Sequence, residues 1–281
     1  TPPDKRAGAF GMIGAAFGLG FILGPYIGAK LADATVIPWF NAATPFWFAA
    51  FLTFIDIIWL LLFFHETHPE RPASIHIDWA KSLRNIAHAL NNTTLRPLFL
   101  TAFLFQGAFS FYVYFLTVFL IDNFGFTQVN IGNYFAYVGL WFAFAQLVVT
   151  RFLARKFRED QILRFTIFGT SIWLLMLFFA NERSDILFIA PFLAICTGVS
   201  FANIAALVSR SASSSVQGEV LGISMSVHSL AQSIPPIISG FIAAILMPES
   251  PILISSIIVI TSGMVFIGFY RRPVHAINPN V

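Results

Sequence analysis

Apolar residues run through this chain in long stretches, broken by short polar ones. Eight stretches stand out, at 9–32, 43–64, 97–121, 130–150, 162–180, 186–208, 218–246 and 251–270. A helix that crosses a bilayer needs roughly 20 mostly apolar residues, because lipid offers no partner to an unpaired backbone group. None of the eight alternates with the period of two that marks a barrel strand. Each is therefore predicted to be a transmembrane helix, which makes the chain an all-α integral membrane protein. Segment 65–96 is the one long polar stretch. Within it Ile77, Leu83, Ile86, Ala87 and Leu90 suit an amphipathic helix lying along the membrane surface.

Composition supports this reading. Among the 281 residues the hydrophobic class makes up 57% and charged residues 10%, where a soluble chain carries about 25% charged residues. The 34 phenylalanines outnumber all Lys, Arg, Asp and Glu together. Soluble, disordered and nucleic-acid-binding readings are excluded on these grounds. Cys196 is the single cysteine, lies in an apolar run and reads as a packing residue.

The charges then orient the chain. With eight helices, the N-terminal tail, 65–96, 151–164, 209–217 and the C-terminal tail share one side. Fourteen of the 16 cations lie there, and Lys30 and Arg183 lie on the other. Cytoplasmic segments carry the excess of Lys and Arg, so both termini are expected in the cytoplasm and the protein in the plasma (inner) membrane. The net charge of +3 reflects topology rather than an anionic partner.

Enzyme readings find no support. His65-Glu66-Thr67-His68 is one residue short of the zinc-binding spacing, which needs two histidines four apart on one helix face. There is no Gly-Lys-Ser/Thr phosphate loop and no glycine-rich dinucleotide fingerprint after a strand. No metal and no cofactor are expected.

The first apolar segment carries Gly20, Gly24, Pro25 and Gly28. Glycines at every fourth position leave a groove where another backbone approaches closely, and Pro25 removes a backbone donor and bends the helix. Alone, this is as compatible with a packing seam as with a working element. An echo follows 211 residues later: Gly222, Pro236 and Ile238 match Gly11, Pro25 and Ile27. Corresponding Gly/Pro-broken helices are a sign of internal repeats. If the first and seventh segments correspond, the halves have six helices each and four are missing upstream. The opening Thr1-Pro2-Pro3-Asp4-Lys5-Arg6, with no initiator Met, likewise suggests a fragment.

Here a resemblance becomes specific. Gly20-x-x-x-Gly24-Pro25-x-x-Gly28 resembles the antiporter motif in the fifth helix of major facilitator superfamily transporters, nearest to the twelve-helix drug/proton antiporters of tetracycline-efflux type. Asp4-Lys5-Arg6 is similar to their loop into that helix. Glu66-Thr67 with Pro69-Glu70-Arg71 is similar to the start of their central linker, and Gly218-Glu219-Val220-Leu221-Gly222 to the start of their eleventh helix. Two positions depart from the pattern. Ala29 replaces the motif's last glycine, and the 150–162 loop lacks the Gly and Asp of the family's gating loop.

The resemblance implies helices five to twelve of a proton-coupled exporter of small amphipathic compounds, working by alternating access. Residues 1–64 would close an N-terminal bundle, 65–96 would be the linker, and 97–281 would form the C-terminal bundle and a short tail. Partners would be a small-molecule substrate, protons and lipid, with no nucleic acid, and a monomer is expected. Metabolite transport on the same fold, or a non-transporting relic or scaffold, is the alternative. The family places the proton-linked groups mostly in the first four helices.

Local candidates complete the list. Gln106, Ser110, Tyr114 and Thr117 form a polar stripe on the third segment, and Thr197, Ser200 and Asn203 another on the sixth. Polar side chains at bilayer depth avoid lipid, so these are expected to contact substrate across a cavity, with interhelical hydrogen bonding as the alternative. The nearby Phe105, Phe109 and Tyr112 could stack on a flat compound. His228, in a stripe with Ser224 and Gln232, reads as a proton carrier or as a neutral packing histidine. Asp56, the deepest carboxylate, is either proton-linked or structural.

Overall fold

A computed structural model describes residues 20, 23–64, 95–211, 217–245 and 250–271. The helices Leu95–Phe124, Gln128–Ala154 and Arg183–Arg210 extend a few residues past their apolar stretches at both ends, whereas Thr44–Phe63 stays within its own. Hydropathy registers the part that suits hydrocarbon, while the backbone ladder continues into the polar boundary where capping groups stop it. The first helix, α1, is described over 23–31, and α2 is Thr44–Phe63. Next come α3, Leu95–Phe124, and α4, Gln128–Ala154. The others are α5, Glu159–Phe178; α6, Arg183–Arg210; α7, Gln217–Ile245; and α8, Ser250–Phe269.

Six of these, α2 to α6 and α8, are long and apolar enough to cross a membrane. The 29-residue α7 is long enough, with side chains described over 220–238. The amphipathic helix expected near 77–90 lies outside the described residues.

Local sequence explains the ends. Thr127 caps α4 by accepting from the Asn130 backbone N–H at 3.3 Å. Asp185 closes the start of α6, its carboxylate accepting from the Glu182 N–H at 3.0 Å and the Asn181 N–H at 3.1 Å. The acids Glu159 and Asp160 open α5, where the helix dipole favours negative charge.

In the bundle α3 lies between α7 and α8, α5 packs on both α8 and α6, and α4 packs on α6. Phe99, Phe105, Phe119 and Phe266 are each 1% exposed at its centre. Hydroxyls join the helices where hydrophobicity gives little drive. Ser171 on α5 and Ser256 on α8 donate to each other's carbonyls at 3.1 and 3.0 Å. Ser262 on α8 donates to the Thr101 carbonyl on α3 at 2.9 Å. By contrast α2 buries only Thr44 among its residues, and its apolar side chains face outward all round.

Candidate functional site

Two close approaches position the elements around the candidate site. At Gly132 on α4, a side chain would collide with the Ala29 methyl of α1 and stand 3.5 Å from the Pro25 carbonyl. The absence of a side chain there is what lets α1 lie against α4. At Gly198 on α6, an added Cβ would sit 3.1 Å from the Ala145 methyl and 3.3 Å from the Phe142 carbonyl of α4. Where α6 presses in, α4 widens into a π turn over Ala145–Val149. Thr150 stabilises that turn by donating its hydroxyl to the Ala145 carbonyl at 2.9 Å.

The glycine-proline stretch thus makes its contact through Pro25 and Ala29. Around Gly20, Gly24 and Gly28 no described atom outside the helix lies within 4 Å of where a Cβ would stand. The close backbone neighbour expected along that stripe is not found among the described residues.

Between α3 and α6 the rings leave two small adjoining crevices, one closed by α5 and α8 and the other by α4, each with space on the order of one water molecule. Phe109, Tyr112, Leu193 and Thr197 line both. Phe201 on α6 gathers the surrounding rings, edge-on to Phe105 at 5.0 Å and Phe109 at 5.1 Å, with Phe142 at 6.3 Å. The surface is therefore apolar and aromatic, with Tyr112, Thr170 and Thr197 as its polar residues. Behind it on α4, two polar atoms are buried without a hydrogen-bond partner, the Tyr134 hydroxyl and the Trp141 indole nitrogen. The Tyr134 hydroxyl faces that of Tyr112 without meeting hydrogen-bond geometry.

The predicted residues divide around this centre. Thr197 lies in it, together with Phe105, Phe109 and Tyr112. Gln106 and Ser110 are buried in the bundle, at 6% and 5% exposure, and line neither crevice. Ser200 turns to α5 and donates to the Thr166 hydroxyl at 2.8 Å. Asn203 donates to the Val199 carbonyl one turn back at 2.8 Å. Further along α3, Tyr114 is exposed and Thr117 half-buried. On α7, His228 and Ser224 are half-buried and Gln232 is exposed. Asp56 is exposed on α2.

Sequence reasoning missed Phe201, Phe142 and Thr170. Phe201 stands one helical turn after Thr197, a spacing that in hindsight places it on the same face.

The two ends of the bundle differ in charge chemistry. At one, Arg210 at the end of α6 pairs with Glu159 at the start of α5 at 2.9 Å, and Arg158 pairs with Asp160 at 3.1 Å. At the other, Arg183 at the start of α6 reaches the end of α3. In the 32–43 loop, the Thr35 hydroxyl and backbone N–H both donate to Asp33, at 2.7 and 2.9 Å, and hold its carboxyl below the usual value.

A profile of the Major Facilitator Superfamily matches residues 1–236. Tetracycline resistance protein, class E, of Escherichia coli is 25% identical over 248 residues, which cover 86% of this chain and 58% of that protein. The class H protein of Pasteurella multocida is 27% identical over 243 residues, 86% of this chain and 59% of its own length. Hippocampus abundant transcript-like protein 1 of Homo sapiens is 27% identical over 255 residues, 86% of this chain and 48% of its own. The chain thus spans roughly half to three-fifths of the length of these curated relatives. Among solved structures, the human organic anion transporter MFSD10 (TETRAN) superposes with a TM-score of 0.74 at 22% identity, over 95% of this chain and 65% of that one. The superposition shows the same fold, and the profile spans most of the residues: the chain belongs to the major facilitator superfamily.

Proposed function

We propose that this chain contributes eight helices, family helices five to twelve, to a proton-coupled exporter of small amphipathic organic compounds. The observation that carries the reading is the glycine-proline stretch seated against Gly132, which brings family helix five against helix eight. In this family those helices flank the boundary between two six-helix bundles, and that boundary has to rearrange when access alternates. The tetracycline resistance relatives support efflux as the direction. On this reading 1–64 ends the first bundle, 65–96 links the two, and 97–281 forms the second. The charge-rich end faces the cytoplasm, the membrane is the plasma (inner) membrane, and the protein works as a monomer. The hippocampus abundant transcript-like relatives, whose name carries no resistance activity, match at similar identity, and transport of a metabolite on the same fold is the second reading.

The substrate would rest on the aromatic surface around Phe109, Phe201 and Thr197, and Gln106, Ser110, Tyr114, Thr117, Ser200 and Asn203 are the further candidate contacts on the same two helices. His228 and Asp56 are the titratable groups on hand for coupling. The test is a panel of export assays on the protein with its upstream helices, each normalised to folded protein. Gln106→Ala, Asn203→Ala and Thr197→Val should change which compounds are exported, because an unmet buried polar partner costs about 1–3 kcal/mol for matching compounds only. A proportional fall across the whole panel would assign these residues to packing instead.

A further inference from the structure

Arg183 is one of two cations on the charge-poor side of the chain, and the structure shows what it does there. Its Nε and Nη2 donate to the Phe124 carbonyl at 3.0 and 2.6 Å, and Nη2 donates also to the Gly125 carbonyl at 3.2 Å. The guanidinium lies 5.2 Å from the centre of the Phe126 ring. These carbonyls end α3, where a helix leaves acceptors unpaired and its dipole is negative.

The turn is shaped to receive this side chain. Gly125 adopts φ +60, a conformation that favours glycine. The Gly125 N–H donates back to the Ile121 carbonyl at 2.9 Å and the Phe126 N–H to the Leu120 carbonyl at 3.1 Å. The carbonyls of Phe124 and Gly125 are thereby left for the guanidinium. Arg183 is held in turn by the cap of its own helix, formed by Glu182 and Asp185. One turn on, the Tyr137 hydroxyl donates to the Leu187 carbonyl at 3.4 Å and ties α4 to the same place.

We propose that Arg183 is a positioning residue, a clasp that fixes the end of α3 to the start of α6 and so sets the spacing of the helices on either side of the aromatic crevice. A planar fork with several donors suits this role, since it bridges two successive carbonyls at once. The crevice residues Tyr112 on α3 and Leu193 on α6 lie about 15–18 Å along their helices from the clasp. That is near enough for a splayed end to widen the gap between them. That the two helices then move as one wall of a transport cavity rests on the proposed function, whereas the clasp itself does not.

The test reads spacing rather than transport. In the whole chain carrying Cys196→Ser, spin labels attached through Asp122→Cys and Leu187→Cys report the distance between the ends of α3 and α6 in phosphatidylcholine nanodiscs. With Arg183 present the pulsed-resonance distribution should be narrow. Arg183→Ala should at least double its width, and Arg183→Lys should recover much of the narrowness because an ammonium still donates to the Phe124 carbonyl. A distribution unchanged in Arg183→Ala, or Lys as broad as Ala, would overturn the proposal. If Arg183→Ala fails to fold, Gly125→Ala serves instead. It keeps the guanidinium but strains the turn, and an unbroadened distribution there would count equally against the clasp.

Discussion

Replacing Gly132 by leucine tests how α1 is attached. An added Cβ would overlap the Ala29 methyl and come 3.5 Å from the Pro25 carbonyl. Neither is the free end of a flexible side chain, so relief requires α1 to move as a body. Overpacking of this kind typically costs about 1–3 kcal/mol, equivalent to roughly a 5- to 150-fold shift between attached and displaced states. The control is Gly24→Leu, because no described atom outside its helix lies within 4 Å of a Cβ there. Thermal unfolding of the purified chain in detergent, followed by tryptophan fluorescence, should show a midpoint lower by about 2–12 °C for Gly132→Leu, taking about 2–4 °C per kcal/mol. Gly24→Leu should leave the midpoint near that of the parent. Equal stability of the two variants would refute the seating of α1 on α4. If Gly24→Leu instead damages the protein only when upstream helices are present, the open glycine stripe is the face that receives them.

Ser171→Ala and Ser256→Ala should each destabilise the bundle by about 1 kcal/mol, since each leaves a buried carbonyl with one donor fewer. The double variant should cost less than their sum, measured as a double-mutant cycle by unfolding, because both remove one reciprocal contact. Asp33 should titrate below an ordinary aspartate in carbon NMR, and Thr35→Val should return it towards the usual value of 3.8. A carboxyl lowered by folding adds stability that is present above its unfolded pKa and lost as pH falls through the folded one. Any acid-dependent loosening of the 32–43 loop should therefore begin below about pH 4 and lessen in Thr35→Val.

The helices were legible because an apolar run of membrane-spanning length admits little else, and their ends were off by a few residues only. Which face each helix turns inward was not legible. On α3, Phe99, Phe105 and Phe119 are buried, whereas Leu100, Val118 and Ile121 face outward. In lipid both faces of a helix are apolar, so the contrast that reveals an inner face in water is missing. Polar residues were the usable signal, and it divided. Thr197 reached the crevice, while Ser200, three residues on, went to Thr166 of α5, and Asn203 satisfied itself within its own helix. Periodicity places such residues on a stripe but does not say which neighbour the stripe meets. Arg183 was visible as an exception to the charge pattern, but its partners are backbone carbonyls, which carry no residue signature. The Gly132 contact was hidden for a related reason, since a lone glycine in an apolar run gives no hint of the helix that leans on it.

The central claim is proton-driven export, and inverted membrane vesicles measure it most directly. In a protein that joins this chain to the four further helices the proposed function calls for, an imposed acid-inside gradient should drive a labelled amphipathic compound into the vesicles, and adding that compound should in turn dissipate the gradient. On the proposed function residues 1–281 alone should do neither, because the cavity would lie between two bundles and only the end of the first, residues 1–64, would be present. Compound flux indifferent to the proton gradient in the longer protein, or gradient-driven uptake by residues 1–281 alone, would contradict the account.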